Sequence, residues 1–301
     1  MAENESRVTE FETYRSLLFA IAYRMLGSAA EAEDAVQDAY LRFAAAAASD
    51  DEPVRDVKAF LTTILTRLAL DRLKSAQRRR EEYVGPWLPE PVLTGDADGR
   101  IAREEAVELA LLTTLERLAP TERAVFLLHE VLDYDHNEIA EMLDLTAAAS
   151  RQQLHRAKER VAEKKRRFTP SLEEQRRLLT GFLVALRDGD VDSLRNLLTS
   201  DVVAISDGGG KVTAARHPIH GFDAVSRFFL GIAKKAPANA SIAIEEVNGA
   251  AAAVIRIGGA LFNVIAPQWE GERIVEIDSV LNPEKLGFLE KQSRWSLVSG
   301  R

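Results

Sequence analysis

Residues 134–161 read YDHNEIAEMLDLTAAASRQQLHRAKERV, and this stretch predicts two short helices joined tightly, the second loaded with basic and amide side chains. Ile139, Ala140, Leu143 and Leu145 can close the first helix onto a core. Ser150, Leu154, Ala157 and Val161 recur at helical spacing on the second. The opposite face of that second helix then carries Ala148, Arg151, Gln152 and His155. Arg matches guanine and Gln matches adenine through paired hydrogen bonds, so the pattern is that of a helix-turn-helix whose second helix can read base edges. The plainer alternative is a charged helix face turned to water.

Around this segment the chain is ordinary in bulk. Its 301 residues suggest about two domains, and a hydrophobic fraction of 46% is ample for buried cores. The net charge of −8 argues against a general nucleic-acid coat, so any such role rests on where the positive charges sit. They are clustered. Arg67 to Arg80 holds six Lys or Arg against Asp71, and Arg151 to Arg167 holds eight against Glu159 and Glu163. With no cysteine, disulfides, thiol redox sensing and cysteine-ligated zinc are excluded. The polar start, MAENESRVTE, and the lack of a long apolar span predict a cytoplasmic protein with no membrane partner.

Upstream, the period is helical from about Thr9 to Arg80. Thr9 with Glu12 and Ser28 with Glu31 fit capping boxes, and Gly27 ends the intervening helix. Ala32, Val36, Ala39, Tyr40 and Phe43 form an inward stripe, which leaves Asp34, Gln37, Asp38 and Leu41 together on another face. An acidic-amide face carrying one leucine suits docking, and it equally suits solvent. A third helix, from about Val57 through Arg80, turns Phe60, Leu61, Ile64, Leu65, Leu68 and Leu73 inward and Arg67, Arg72, Lys74 and Arg78 outward. Prolines and glycines in YVGPWLPEPVLTGDADG then predict an irregular linker, in which Trp87 and Leu88 either pack on a neighbouring domain or dock a regulatory contact. Helices resume over 104–118, 120–131 and the segment quoted above. Pro170 ends that run.

Beyond Pro170 the texture changes to α+β. Helices over 171–187, 191–198 and 222–235 accompany strand-like segments at 202–206, 211–216, 241–247, 251–257, 260–269 and 273–281, with hairpin signals at Asn248-Gly249 and Glu270-Gly271-Glu272. A curved antiparallel sheet with helices on one face is expected. DGGGK, residues 207–211, reads as a backbone device. Glycines permit positive φ and close approach to another surface, although a plain turn between Ser206 and Val212 needs only one or two of them.

Together EAEDAVQDAYLR (31–42), AFLTTILTRLALDRLKSAQRR (59–79) and the 134–161 segment resemble, in order and spacing, regions 2 and 4 of bacterial extracytoplasmic-function sigma factors. YVGPWLPEP, DGGGK and NPEKL (282–286) resemble the marks of the subgroup with a fused SnoaL-like, NTF2-like C-terminal domain. The resemblance implies a region 2 domain over 1–80, a linker over 81–102, a region 4 domain over 103–168, an NTF2-like cone over 170–290 and a tail over 291–301. It implies that Asp34, Gln37, Asp38 and Leu41 grip core RNA polymerase. Arg67, Arg72, Lys74, Arg78 and Arg79 would handle the minus-10 promoter element and its melted strand. Arg151, Gln152 and His155 would read the minus-35 element, with Lys158 and Arg160 on phosphates. Asp144 stands at a turn position often held by glycine, and Ser150 at one often apolar.

The same resemblance implies a built-in domain that contacts the sigma core and regulates in cis. Beyond it, we expect Asp207, Gly208, Gly209, Gly210, Lys211, Asn282 and Pro283 to meet the linker at Trp87 and Leu88 and to set the spacing of regions 2 and 4. Relatives of such cones place acids in a pocket, for which Asp207, His217, His220, Trp269 and Asp278 are the candidates here. HPIH (217–220) is not a helical ligand spacing and no third ligand is indicated, so no metal, cofactor or catalytic residue is assigned. A small-molecule ligand stays open. So do two other functions: a SnoaL-type enzyme recruited to DNA by its N-terminal part, and a ligand-responsive regulator that does not bind polymerase.

Overall fold

A computed structural model describes residues 2–47, 56–94, 109–162 and 170–299. The chain divides into two compact units, one holding residues 1–81 and most of 99–165, the other residues 82–98 and everything from Arg166 onward.

The first unit opens with three helices, α1 (Ala2–Leu26), α2 (Ala29–Ala47) and α3 (Val57–Glu81). Phe11 of α1 meets Phe43 of α2 at 6.4 Å between ring centres, and Phe43 meets Phe60 of α3 at 6.3 Å. Gly27, at φ 67°, turns the chain between α1 and α2, where the Ser28 hydroxyl accepts the Glu31 amide at 3.1 Å. The start expected at Thr9 is overturned. No glycine or proline precedes it, so α1 runs on from Ala2, and the Thr9 carbonyl accepts the Thr13 hydroxyl inside the helix.

A short helix α4 (Leu109–Leu115) leads to α5 (Pro120–Glu130), α6 (His136–Leu143) and α7 (Ala147–Ala162). Asp135 caps α6 by accepting the Asn137 and Glu138 amides at 2.7 and 2.9 Å. At its other end Asp144 adopts the left-handed conformation, φ 54° and ψ 47°, that the tight turn to α7 needs. Val125, Leu128, Ile139, Met142 and Leu154 form the small core of these three helices. Ser150 is fully buried among them and bonds His136 Nδ1 at 2.9 Å, so a hydroxyl at this position is satisfied inside the core.

The second unit is α+β. Helices α8 (Leu172–Asp188) and α9 (Val191–Leu197) lead into strands β1 (Leu198–Asp207) and β2 (Ile219–His220), then α10 (Phe222–Ala233), β3 (Ala240–Val247), β4 (Ala250–Ile257), β5 (Ala260–Glu270), β6 (Arg273–Val280) and α11 (Pro283–Ser299). Asn248-Gly249 and Gly271 make the expected hairpin turns at positive φ. The sheet order is β2-β1-β6-β5-β4-β3. It is mixed and not antiparallel throughout, because β1 pairs parallel to β6. No strand forms over 211–216. That segment instead lies beside the linker at Gly85. The residues set aside as a tail continue α11 as far as Ser299.

Strand alternation sorts the two sheet faces. The row Ser206, Ser279, Ile265, Ala253 and Ile244 lies on the face covered by α8 to α10, with Phe182, Val225, Phe229 and Trp269 in the same core. The adjacent row, Asp207, Val280, Val264, Val254 and Ala243, lies on the other face. There the supposed linker is packed against the sheet. Leu88 to Thr94 are all buried, Leu93 bridges Val247, and Gln292 of α11 bonds both the amide and the carbonyl of Leu93. Residues 82–94 thus form a strap that belongs to the C-terminal unit.

Candidate nucleic-acid and linker interfaces

On α7, Arg151, Gln152 and His155 are exposed on one face, as helical spacing requires. Lys158 and Arg160 are exposed too, but each is engaged by α5: Lys158 Nζ lies 2.8 Å from Glu130, and Arg160 bonds the buried carboxylate of Glu122. Both therefore tie α7 to α5. Arg156, which sequence reasoning passed over, stands exposed one turn from Gln152. Its signal was the i, i+4 relation to Gln152. Beneath this face His136 stacks on His129, ring centres 4.6 Å apart. Burial, then the neighbouring His129 and Arg151, lower the His136 pKa.

On α2, Asp34 and Gln37 are exposed and Leu41 is 63% exposed. Asp38 shares their face but is held by Arg72 of α3, Nη2 to Oδ2 2.6 Å. Arg67 is also engaged. Its guanidinium donates to the Met142 and Glu141 carbonyls at 2.7 and 3.2 Å and pairs with Asp144 at 3.3 Å, at the negative end of the α6 dipole. In the reverse direction, buried Arg123 of α5 donates to the Met25 carbonyl near the end of α1 at 2.6 Å and pairs with Glu116 at 2.8 Å. Lys74 is exposed. The side chains of Arg78 and Arg79 lie outside the described residues.

In the second unit the structure brings Trp87, Leu88, the 207–211 loop and the 282–286 segment together. Asp207, with no exposed surface, accepts four hydrogen bonds on its carboxylate. Oδ1 takes the Tyr83 hydroxyl at 2.5 Å and the Gly209 amide at 3.1 Å, while Oδ2 takes the Leu88 amide at 2.8 Å and Lys285 Nζ at 2.6 Å. Lys285 Nζ also donates to the Leu88 carbonyl and sits 3.7 Å from the centre of the Trp87 ring and 4.9 Å from that of Tyr83. A buried charge pair repays its desolvation only when its remaining lone pairs and protons are satisfied, and here they are. Asn282 Nδ2 donates to the Tyr83 oxygen at 2.8 Å. Burial, reinforced by Asp207, holds the Tyr83 phenol well above its usual pKa, so it remains a donor.

The glycines make the approach feasible. A Cβ on Gly209, at φ 57°, would stand 2.3 Å from Asn282 Nδ2, and one on Gly210, at φ 69°, would press Val84 at 3.1 Å. Lys211 pairs with Glu284 at 3.0 Å. Pro283 begins α11 directly after Asn282. Tyr83 and Lys285 went unassigned in the sequence, although both stand inside motifs quoted there. A tyrosine and a lysine look like surface residues until their buried partner is known.

The pocket expected from the cone is not built from the residues proposed for it. Asp207 and Asp278 lie on the strap side of the sheet, where Gln268 donates to Asp278 at 2.8 Å. His217 and His220 are exposed, and Trp269 is buried in the helix-side core. Among the described residues no group of three His, Asp or Glu could hold a metal ion. No helix among them is long and apolar enough to cross a membrane.

Comparison with known proteins fits these surfaces to a family. Sigma-70 region 2 matches residues 11–79 and Sigma-70 region 4 matches 108–161. The ECF RNA polymerase sigma factor SigJ of Mycobacterium tuberculosis is 40% identical over 233 residues, covering 76% of this chain and 73% of SigJ. The chain belongs to the ECF RNA polymerase sigma factors. The probable ECF sigma factor SigI of the same organism is 31% identical over 97% of this chain and 99% of its own length. A crystal structure of M. tuberculosis SigJ superposes with a TM-score of 0.75 at 32% identity, covering 93% of this chain and 98% of that one. In this ECF sigma factor, α1 to α3 are therefore region 2 and α5 to α7 lie in region 4. The α+β unit is included in the SigJ match.

Proposed function

We propose that this ECF sigma factor binds core RNA polymerase through Asp34, Gln37, Asp38 and Leu41 of α2 and directs promoter-specific initiation, under control in cis by its C-terminal unit. Region 4 reads the minus-35 element through Arg151, Gln152 and His155, joined by Arg156. Lys74 and the Arg78, Arg79 end of α3 handle the minus-10 strand. Arg67, Arg72, Lys158 and Arg160, held by protein partners, are available to DNA only if those partners are exchanged.

The observation that carries regulation in cis is the Asp207–Lys285 node. It fastens the segment joining regions 2 and 4 to the C-terminal unit, so Trp87, Leu88, Tyr83, Gly208 to Lys211, Asn282 and Pro283 set how freely the two regions are connected. The commitment of Asp207 to four donors argues against a role for that residue as a catalytic acid or base. An acid so saturated has no lone pair aimed at a substrate. The test is transcription reconstituted with purified core polymerase. Promoter-specific transcripts support the reading, and a folded chain that directs none overturns it.

A further inference from the structure

Arg72 lies on the basic helix α3, yet its guanidinium spans two groups of α2. Nη2 meets the Asp38 carboxylate at 2.6 Å, and Nη1 donates to the Glu31 main-chain carbonyl at 3.1 Å. The two side chains are 26% and 46% exposed, so the pair is sheltered without being buried. Exposed pairs held by a single contact contribute little. Here, however, the planar fork of arginine uses one arm to grip the helix backbone and the other to orient the carboxylate, a geometry lysine cannot reproduce. Asp38 belongs to the same α2 face as exposed Asp34, Gln37 and Leu41.

We propose that Arg72 is a positioning residue for the polymerase-binding face. It selects one rotamer of Asp38 by anchoring it to the first turn of α2, and it is thereby withdrawn from the promoter strand. A free aspartate samples several rotamers, and ordering it on binding costs affinity. Arg72 removes that cost before polymerase arrives. The proposal rests on the reading of the α2 face as the polymerase contact.

The test uses the full-length protein and measures two quantities: affinity for core RNA polymerase, and binding of the resulting holoenzyme to a single-stranded minus-10 oligonucleotide across a salt series. Arg72→Ala is expected to weaken core affinity roughly threefold to tenfold, as pairwise couplings of contacting residues do. Asp38→Ala should weaken it comparably, and the double variant should be no worse than Asp38→Ala alone. Arg72→Lys, which keeps the charge and is the safer fold, should recover only part of the loss. The salt dependence of oligonucleotide binding should be unchanged. Additive losses in the double variant overturn the proposal while sparing the α2 reading. So does wild-type core affinity in Arg72→Ala, or a salt slope reduced by about one, the signature of a lost phosphate contact. Wild-type core affinity in Asp38→Ala removes Asp38 from the contact and overturns the proposal, and only wild-type affinity in an Asp34→Ala, Gln37→Ala, Leu41→Ala variant as well overturns the α2 reading itself.

Discussion

Two cationic sites of this molecule use the same chemistry in opposite ways. Lys285, 7% exposed, is enclosed by Asp207, the Leu88 carbonyl and two aromatic rings, whereas Arg151 stands exposed on α7 beside Gln152 and His155. The first is a tie, and the second is the surface we propose to read DNA. What separates them is a partner: a charge desolvated within its own chain holds structure, and a charge left in solvent is available to phosphate or a base edge. Arg67, Arg72, Lys158 and Arg160 fall between, since each is paired but partly accessible.

The comparison predicts unequal losses. Lys285→Met leaves Asp207 as an uncompensated buried charge and should destabilise the C-terminal unit by about 3–5 kcal/mol, read from denaturant unfolding. An unchanged midpoint would place Lys285 among the exposed class. Gly209→Ala meets Asn282 at 2.3 Å and requires a left-handed alanine, so a loss on the order of 1–3 kcal/mol is expected in the same assay.

Arg151→Ala should leave stability alone and instead cost about 1–3 kcal/mol of promoter binding at one base position. A uniform loss across sequences would make it a phosphate contact. Lys158→Gln is expected to change binding least, within about 1 kcal/mol, with no change in salt slope.

Acidity sharpens the same contrast within region 4. Because the folded state depresses the His136 pKa, the unfolded chain binds more protons as pH falls through about 6.5. Stability is therefore full above that pH and declines below it. His136→Gln should flatten the decline in thermal melts between pH 7.5 and 5.5, and an identical decline in the variant would assign it elsewhere.

The helical elements were legible because their signals are local. The Ser28 and Gly27 boundary, the Pro120 start, the Asp144 turn and the Asn248-Gly249 hairpin each depend on residues within a few positions. The parallel β1–β6 pairing was not legible, since no periodicity records which strand edges meet across more than sixty residues. The strap was half legible. Trp87 and Leu88 signalled a contact, and the glycines of DGGGK a close approach, but the charge at its centre was hidden. Asp207 and Lys285 are 78 residues apart, and Tyr83 and Asp207 are 124 apart. Likewise Lys158 and Arg160 gave no hint that α5 carboxylates hold them, because a lysine facing phosphate and one facing glutamate have the same sequence pattern.

The central claim, that the strap between regions 2 and 4 is fastened to the C-terminal unit to control initiation, is tested most directly by transcription from core polymerase loaded with full-length Trp87→Ala protein. Loss of the ring facing Lys285 is predicted to change promoter output while affinity for core polymerase stays at the wild-type value. Output equal to wild type, from a variant shown to be folded, would contradict the account.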